Sequence, residues 1–208
     1  MDNLSFILFI SIFTPLAMML FIYKGKSRTS LLFLLIGIIV CLFCGEFNSL
    51  IMQLLPFSMR DYTINFTPFF EEVFKALPIL VYAFLYKPKR QALLESSIGV
   101  GVGFAVLENA FILAQSFGDV SIPLALFRGF GAGMMHGICT LAVGYGLSFV
   151  HIKRKLFYTG TVALLTVAMI YHSIYNCLVQ SNHIYIGFVL PMLTFVPLIV
   201  LLKKKRIL

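Results

Sequence analysis

The feature that most limits the fold is a series of seven apolar stretches, roughly 4–23, 30–55, 66–86, 92–116, 122–150, 157–180 and 184–202. A helix needs about 20 apolar residues to cross the hydrocarbon core of a bilayer, and lipid offers its backbone no hydrogen-bond partners, so stretches of this length specify spanning helices. Several exceed the minimum and imply tilt or extension beyond the bilayer. The expected fold is all-α: a polytopic membrane helix bundle of about seven transmembrane helices. Composition agrees, because 60% of the 208 residues are hydrophobic and 12% are charged, roughly half the charged share of a soluble domain. No soluble domain, long linker, low-complexity tract or repeat interrupts the pattern. Residues 1–208 therefore read as a single transmembrane domain with a motif-bearing core at 66–180. The first stretch follows Met1-Asp2-Asn3, with neither a basic region before it nor a small-residue cleavage site after it, and reads as a retained helix rather than a signal peptide.

Lys and Arg in short loops set orientation. Lys24, Lys26 and Arg28 follow the first stretch, Lys87, Lys89 and Arg90 the third, Lys153, Arg154 and Lys155 the fifth, and Lys203, Lys204, Lys205 and Arg206 the last. The intervening connections carry only Arg60 beside Asp61, Asp119, and Ser181-Asn182-His183. Thirteen of the sixteen basic residues thus fall on alternate connections, which puts the N-terminus outside and the C-terminus in the cytoplasm. The net charge of +8 is accounted for largely by this topology. The basic loops face anionic headgroups, and no nucleic-acid partner is expected. A composition heavy in Ile, Leu, Phe and Lys is compatible with a low-GC bacterium, hence a multi-pass protein of a bacterial plasma membrane.

Few ionisable residues remain inside the spans: Glu46, Glu71, Glu72, Lys75, Glu108, Arg128, His136 and His172. Each charge costs about 2.5–3.5 kcal/mol at mid-bilayer, so a cluster of them marks a functional site. At ~1.5 Å per residue, Glu72 lies ~9 Å, Glu108 ~13 Å and His172 ~12 Å from the outer surface. The polar set converges in the outer half of the membrane on the third to sixth spans. Glu71 and Glu72 stand four and three residues before Lys75, close enough for the lysine to neutralise one carboxylate. Arg128, Ala132, His136 and Thr140 form one helical stripe, and His172 and Asn176 another. Gly129, Gly133 and Gly137 form a small-residue ridge expected to admit a neighbouring backbone, and Gly99, Gly101 and Gly103 do the same more loosely. Glu46 and Asn48 lie near an outer end and are expected to reach headgroup water. Arg128 has two open readings, snorkelling outward or neutralising a glutamate. Cys41, Cys44, Cys139 and Cys177 all fall within spans and are expected to pack as inert thiols, despite the CxxC spacing of the first two.

Carboxylates and neutral imidazoles in a partly dry pocket can perform general acid–base work on water. Glu71 or Glu72 with His136 can activate the water, while His172 and Asn176 can stabilise the oxyanion. Two histidines and a glutamate with an open position are equally a hydrolytic Zn²⁺ set, although no HExxH is present. No GxSxG signature appears.

Four segments in order, Glu71-Glu72-Val73-Phe74-Lys75, Gly103-Phe104-Ala105-Val106-Leu107-Glu108-Asn109, Arg128 with His136, and His172-Ser173-Ile174-Tyr175-Asn176, resemble the motifs of PrsW-type intramembrane proteases, within the CAAX-protease and bacteriocin-processing superfamily. The resemblance covers about residues 68–180. It implies a glutamate-dependent membrane endopeptidase making the first, outer-side cut in a single-pass anti-sigma factor, a second intramembrane protease then completing sigma-factor release. By motif, Glu71 and Glu72 are the essential pair, one of them the general base, and Glu108, His136, His172 and Asn176 complete the catalytic set. Lys75, Asn109 and Arg128 support it. Lys75 stands where the CAAX branch carries an arginine one residue later, which favours the PrsW branch.

Water reaches such a site from the extracytoplasmic side, and the polar-tinged segment Tyr62–Pro68 reads as a loop or a mobile lip over it. Two other classes fit the same residues. In a proton- or ion-coupled transporter the glutamates and histidines form a relay; against it stand the missing inverted repeat and the crowding of the acidic set into one leaflet. In a non-catalytic scaffold the cluster serves helix packing alone.

Overall fold

A computed structural model describes residues 24–116 and 121–204, together with Phe9, Ile12, Phe13, Leu16, Met19 and Leu20. The expected span 4–23 otherwise lies outside the described residues. Every regular element among the described residues is a helix: α1 Gly25–Leu54, α2 Met59–Asn65, α3 Thr67–Tyr86, α4 Arg90–Gln115, α5 Ile122–Leu147, α6 Arg154–Val179 and α7 Ile184–Lys204. Five of them, α1, α4, α5, α6 and α7, are long and apolar enough to cross a membrane. The 20-residue α3 has the length, but it carries Glu71, Glu72 and Lys75.

The apolar faces explain the arrangement. Helix α5 packs against α3, α4, α6 and α7, and α1 lies against α4 on the far side. Met135, Cys139, Val143 and Leu147 of α5 join Ile79 of α3, Val100 of α4 and Ala168 of α6 in the main core. A second cluster joins Leu35, Ile38, Cys41 and Cys44 of α1 to Phe104 and Leu107 of α4, and Phe9, Ile12, Phe13, Leu16 and Leu20 pack on it. Helix α3 touches α1, α4, α5 and α6, so its charged residues meet side chains from several walls at once.

Four expectations are corrected. First, close helix approach does not occur along Gly129, Gly133 and Gly137. A Cβ at Gly129 or Gly133 would meet no described atom within 4 Å, and one at Gly137 would make ordinary contact. The tight seams lie elsewhere: a Cβ at Gly101 would overlap the His136 carbonyl oxygen and the Thr140 hydroxyl, and one at Gly103 would overlap the Leu34 carbonyl. Second, Tyr62–Pro68 is not a loop: Tyr62–Asn65 complete α2 (Met59–Asn65), and Thr67 and Pro68 begin α3. Ser58 caps α2 by accepting from the Asp61 N–H at 3.1 Å and donating to Asp61 Oδ2 at 2.6 Å, the N-cap chemistry that favours a helix start. Third, Cys177 is exposed, whereas Cys41, Cys44 and Cys139 are buried. Fourth, Lys26 and Arg28 lie on α1 rather than in a loop, because a helix can continue past the hydrocarbon core while long basic side chains extend to the headgroups.

Candidate active site

Helix α3 starts at Thr67 with Pro68 in its first turn, where a missing N–H costs nothing. One turn on, Glu71, Glu72 and Lys75 turn inward, all buried. Facing them are Glu108 from α4, His136 from α5 and His172 from α6. The α4–α5 seam sets the depth of His136: Gly101 admits the His136 backbone, and Thr140 Oγ1 donates to the His136 carbonyl at 2.9 Å. Phe104 lies 5.1 Å from the His136 ring and 4.6 Å from Lys75 Nζ, centroid distances that put an ammonium over an aromatic face.

The polar groups form one chain. Lys75 Nζ donates to Glu72 Oε1 at 2.6 Å and lies 2.8 Å from His136 Nδ1. His136 Nε2 lies 2.8 Å from Glu108 Oε2, and His172 Nδ1 lies 2.8 Å from Glu72 Oε1. An ammonium can only donate, so the network assigns His136 an acceptor Nδ1 and a protonated Nε2 that donates to Glu108. Glu72 Oε1, held by Lys75, is an acceptor, so His172 carries its proton on Nδ1. The consequence is a bare lone pair on His172 Nε2. This atom, Glu71 Oε2 and Glu72 Oε2 are all buried without a hydrogen-bond partner. His172 Nε2 and Glu71 Oε2 stand 3.7 Å apart, two buried acceptors facing each other. Leaving buried polar groups unpaired costs about 1–3 kcal/mol each, so the gap calls for a donor or a cation.

A metal fits that description. Glu71, His136 and His172 each bring a ligand atom within 4.8 Å of the others. His172 is prepared as a ligand, since a carboxylate holding the other ring nitrogen fixes tautomer and orientation. Glu71 Oε2 is free. His136 has both nitrogens engaged and must release Lys75 or Glu108 to join. Two histidines and a carboxylate with an open position suit a hydrolytic zinc-type site.

The expected residues thus divide. Glu71, Glu72, Lys75, Glu108, His136 and His172 come together. Asn176, expected to act beside His172 on the same stripe, does not join them: its Nδ2 donates to the Thr63 carbonyl of α2 at 2.9 Å, because α2 brings that carbonyl over α6. Arg128 makes no ion pair with a described carboxylate, and its Nε and Asn109 Oδ1 are buried without partners. Glu46 stays outside the network, and the half-buried Asn48 accepts from Tyr62 Oη at 2.9 Å and donates to Cys44 Sγ at 3.3 Å. Sequence reasoning missed Tyr62 and Phe104. Tyr62 is 1% exposed, and an aromatic amid the polar residues of 58–65 was its one signal; Phe104 stood inside the Gly103–Asn109 motif but was given no role there. The site reaches the surface most openly at Glu108, whose side chain is 23% exposed.

A multi-pass helical bundle with a buried glutamate–histidine site and two facing acceptor atoms has the form of an intramembrane hydrolase. The profile of the PrsW family intramembrane metalloproteases matches residues 25–202, and the chain belongs to that family. It is accordingly an intramembrane peptidase embedded in a lipid bilayer, with a membrane protein as its substrate. Neither the curated proteins nor the solved structures contain a match.

Proposed function

We propose that the protein cuts a single-pass membrane protein near the extracytoplasmic side, as the first cleavage of an anti-sigma factor in a bacterial stress response, with Glu71 as general base. The observation that carries this reading is the pair of facing acceptors, Glu71 Oε2 and His172 Nε2, 3.7 Å apart and unpartnered. A water between them donates one hydrogen to each. Glu71 takes the proton as the water oxygen bonds to the carbonyl carbon, and returns it to the amide nitrogen as the C–N bond breaks. Glu72 is assigned as the positioning residue: its Oε1 accepts from both Lys75 and His172, which ties this carboxylate to orienting His172, while the unpartnered Glu71 Oε2 is the oxygen that faces His172 Nε2. Glu108 holds His136 in the same way. A divalent metal held by Glu71, His172 and a released His136 would supply Lewis-acid polarisation of the water or carbonyl. Positive-inside loops support an outside N-terminus, a cytoplasmic C-terminus and an outer-half site.

The test is terminal-peptide profiling of membranes from cells producing wild type or Glu71→Gln at matched levels. The expected result is a new terminus near the outer end of a single-pass protein's helix, with wild type only. Identical profiles under the stresses that induce the pathway would refute the reading.

A further inference from the structure

A groove of about 450 Å³ runs along the seam between α6 and the α2–α3 corner, lined by Asn65, Phe69, Thr166, Met169, Ile170, Ser173, Ile174 and Cys177. Its α6 wall repeats at helical spacing from 166 to 177, a length of ~16 Å at ~1.5 Å per residue. About five extended residues have the same reach. The same two helices carry the site: Ser173 follows His172 and Phe69 precedes Glu72 by three, and His172 and Glu72 bond across this seam at 2.8 Å.

Resting on the peptidase reading, we infer that this groove seats the substrate's membrane-spanning segment, unwound, before its peptide bond reaches Glu71 and His172. The lining says what kind of occupant fits. Phe69 and Ile170 are 49% and 55% exposed, which suits apolar side chains. Among them sit the Ser173 hydroxyl, the Thr166 hydroxyl, which donates to Val162 O at 3.0 Å and keeps its lone pairs to accept, and the Asn65 carboxamide, whose Nδ2 donates to Asp61 O at 2.9 Å, leaving its carbonyl oxygen as an acceptor. An acyl chain offers these groups nothing. An unwound peptide in lipid carries unpaired N–H and C=O groups that must find partners. Helix α2 leans over the outer end of the groove, tied to α6 through Asn176 Nδ2 to Thr63 O at 2.9 Å and Thr63 Oγ1 to Gln180 Oε1 at 3.2 Å.

The exposed Cys177 provides a native probe, since the other three thiols are buried. The full-length protein is placed in phosphatidylethanolamine/phosphatidylglycerol vesicles with a nitroxide on Cys177. The control is Val167→Cys with Cys177→Ser, a position on the same helix that is 56% exposed and does not line the groove. The probes are a single-pass peptide of about 20 Leu and Ala residues with a Gly-Ser pair and a fluorophore in its outer third, and an acyl-chain-labelled phospholipid. Quenching of the peptide from Cys177 about tenfold stronger than from the control, or ~1.4 kcal/mol of preferential seating, with no such preference for the lipid, is expected. Equal peptide quenching from both positions, or preference for the lipid alone, overturns the groove. Mass spectrometry of the same vesicles separates the two claims. Preferential quenching without hydrolysis supports the seat while counting against the peptidase, and hydrolysis with equal quenching sinks the groove alone.

Discussion

Lys75 is fully buried, with its ammonium 2.6 Å from Glu72, 2.8 Å from His136 and 4.0 Å from Glu71. Replacing it by methionine keeps most of the volume and removes the charge. At an effective dielectric of ~20, the attraction to Glu72 is about 6 kcal/mol and to Glu71 about 4 kcal/mol. The cost of burying the ammonium offsets much of this, and breaking such a buried pair leaves a net destabilisation of about 3–5 kcal/mol. Most of that loss is the orphaned Glu72 carboxylate rather than the missing contact. Glu72→Gln in the Lys75→Met background should therefore recover about 2 kcal/mol, a coupling of the size found for residues in one network. Equilibrium unfolding of the four proteins in mixed detergent micelles measures the cycle. Destabilisation by Lys75→Met below about 1 kcal/mol, with additive single and double variants, would show that the lysine does not neutralise the site and would undo the tautomer assignments built on it.

Three further outcomes follow from the same geometry. Gly101→Ala should cost about 1–3 kcal/mol by overpacking and lower peptidase activity by displacing His136, whereas Gly129→Ala should be neutral or stabilise by up to about 1 kcal/mol; unfolding midpoints of the pair check this. Asn176→Ala should loosen α2 at a cost of about 1 kcal/mol and lower activity far less than His172→Ala, as parallel cleavage and unfolding assays would reveal. Metal content of purified protein, read by elemental mass spectrometry, should fall about 10–100-fold in affinity with Glu72→Gln, which loosens the orientation of His172, and should rise with Lys75→Met, which frees His136 Nδ1.

Five of the expected spans and the polar set were legible, because hydropathy and the scarcity of intramembrane charge are properties of the chain itself: Glu71, Glu72, Lys75, Glu108, His136 and His172 stand out in any apolar background. Their pairing was not. Helical spacing says which residues share a face, as with Glu72 and Lys75, but not which foreign face they meet, so the bond from Lys75 to His136, 61 positions away, left no local trace. The glycines make the same point. Gly129, Gly133 and Gly137 have the regular spacing, yet close approach falls at Gly101 and Gly103, because helix rotation about the site decides which ridge faces a neighbour. Asn176 resembled a partner for His172 one turn away, but α2, a helix hidden in a short polar segment, claims it.

The most direct test compares cleavage of a reconstituted single-pass substrate by wild type, Glu71→Gln and Glu72→Gln, each assayed well below its own unfolding midpoint. If Glu71 is the base, Glu71→Gln lowers kcat by about 10²–10⁴-fold with KM little changed, and neutralising Glu72 acts through His172 with a smaller loss. Activity of Glu71→Gln within about tenfold of wild type in a folded protein would contradict a general base at Glu71.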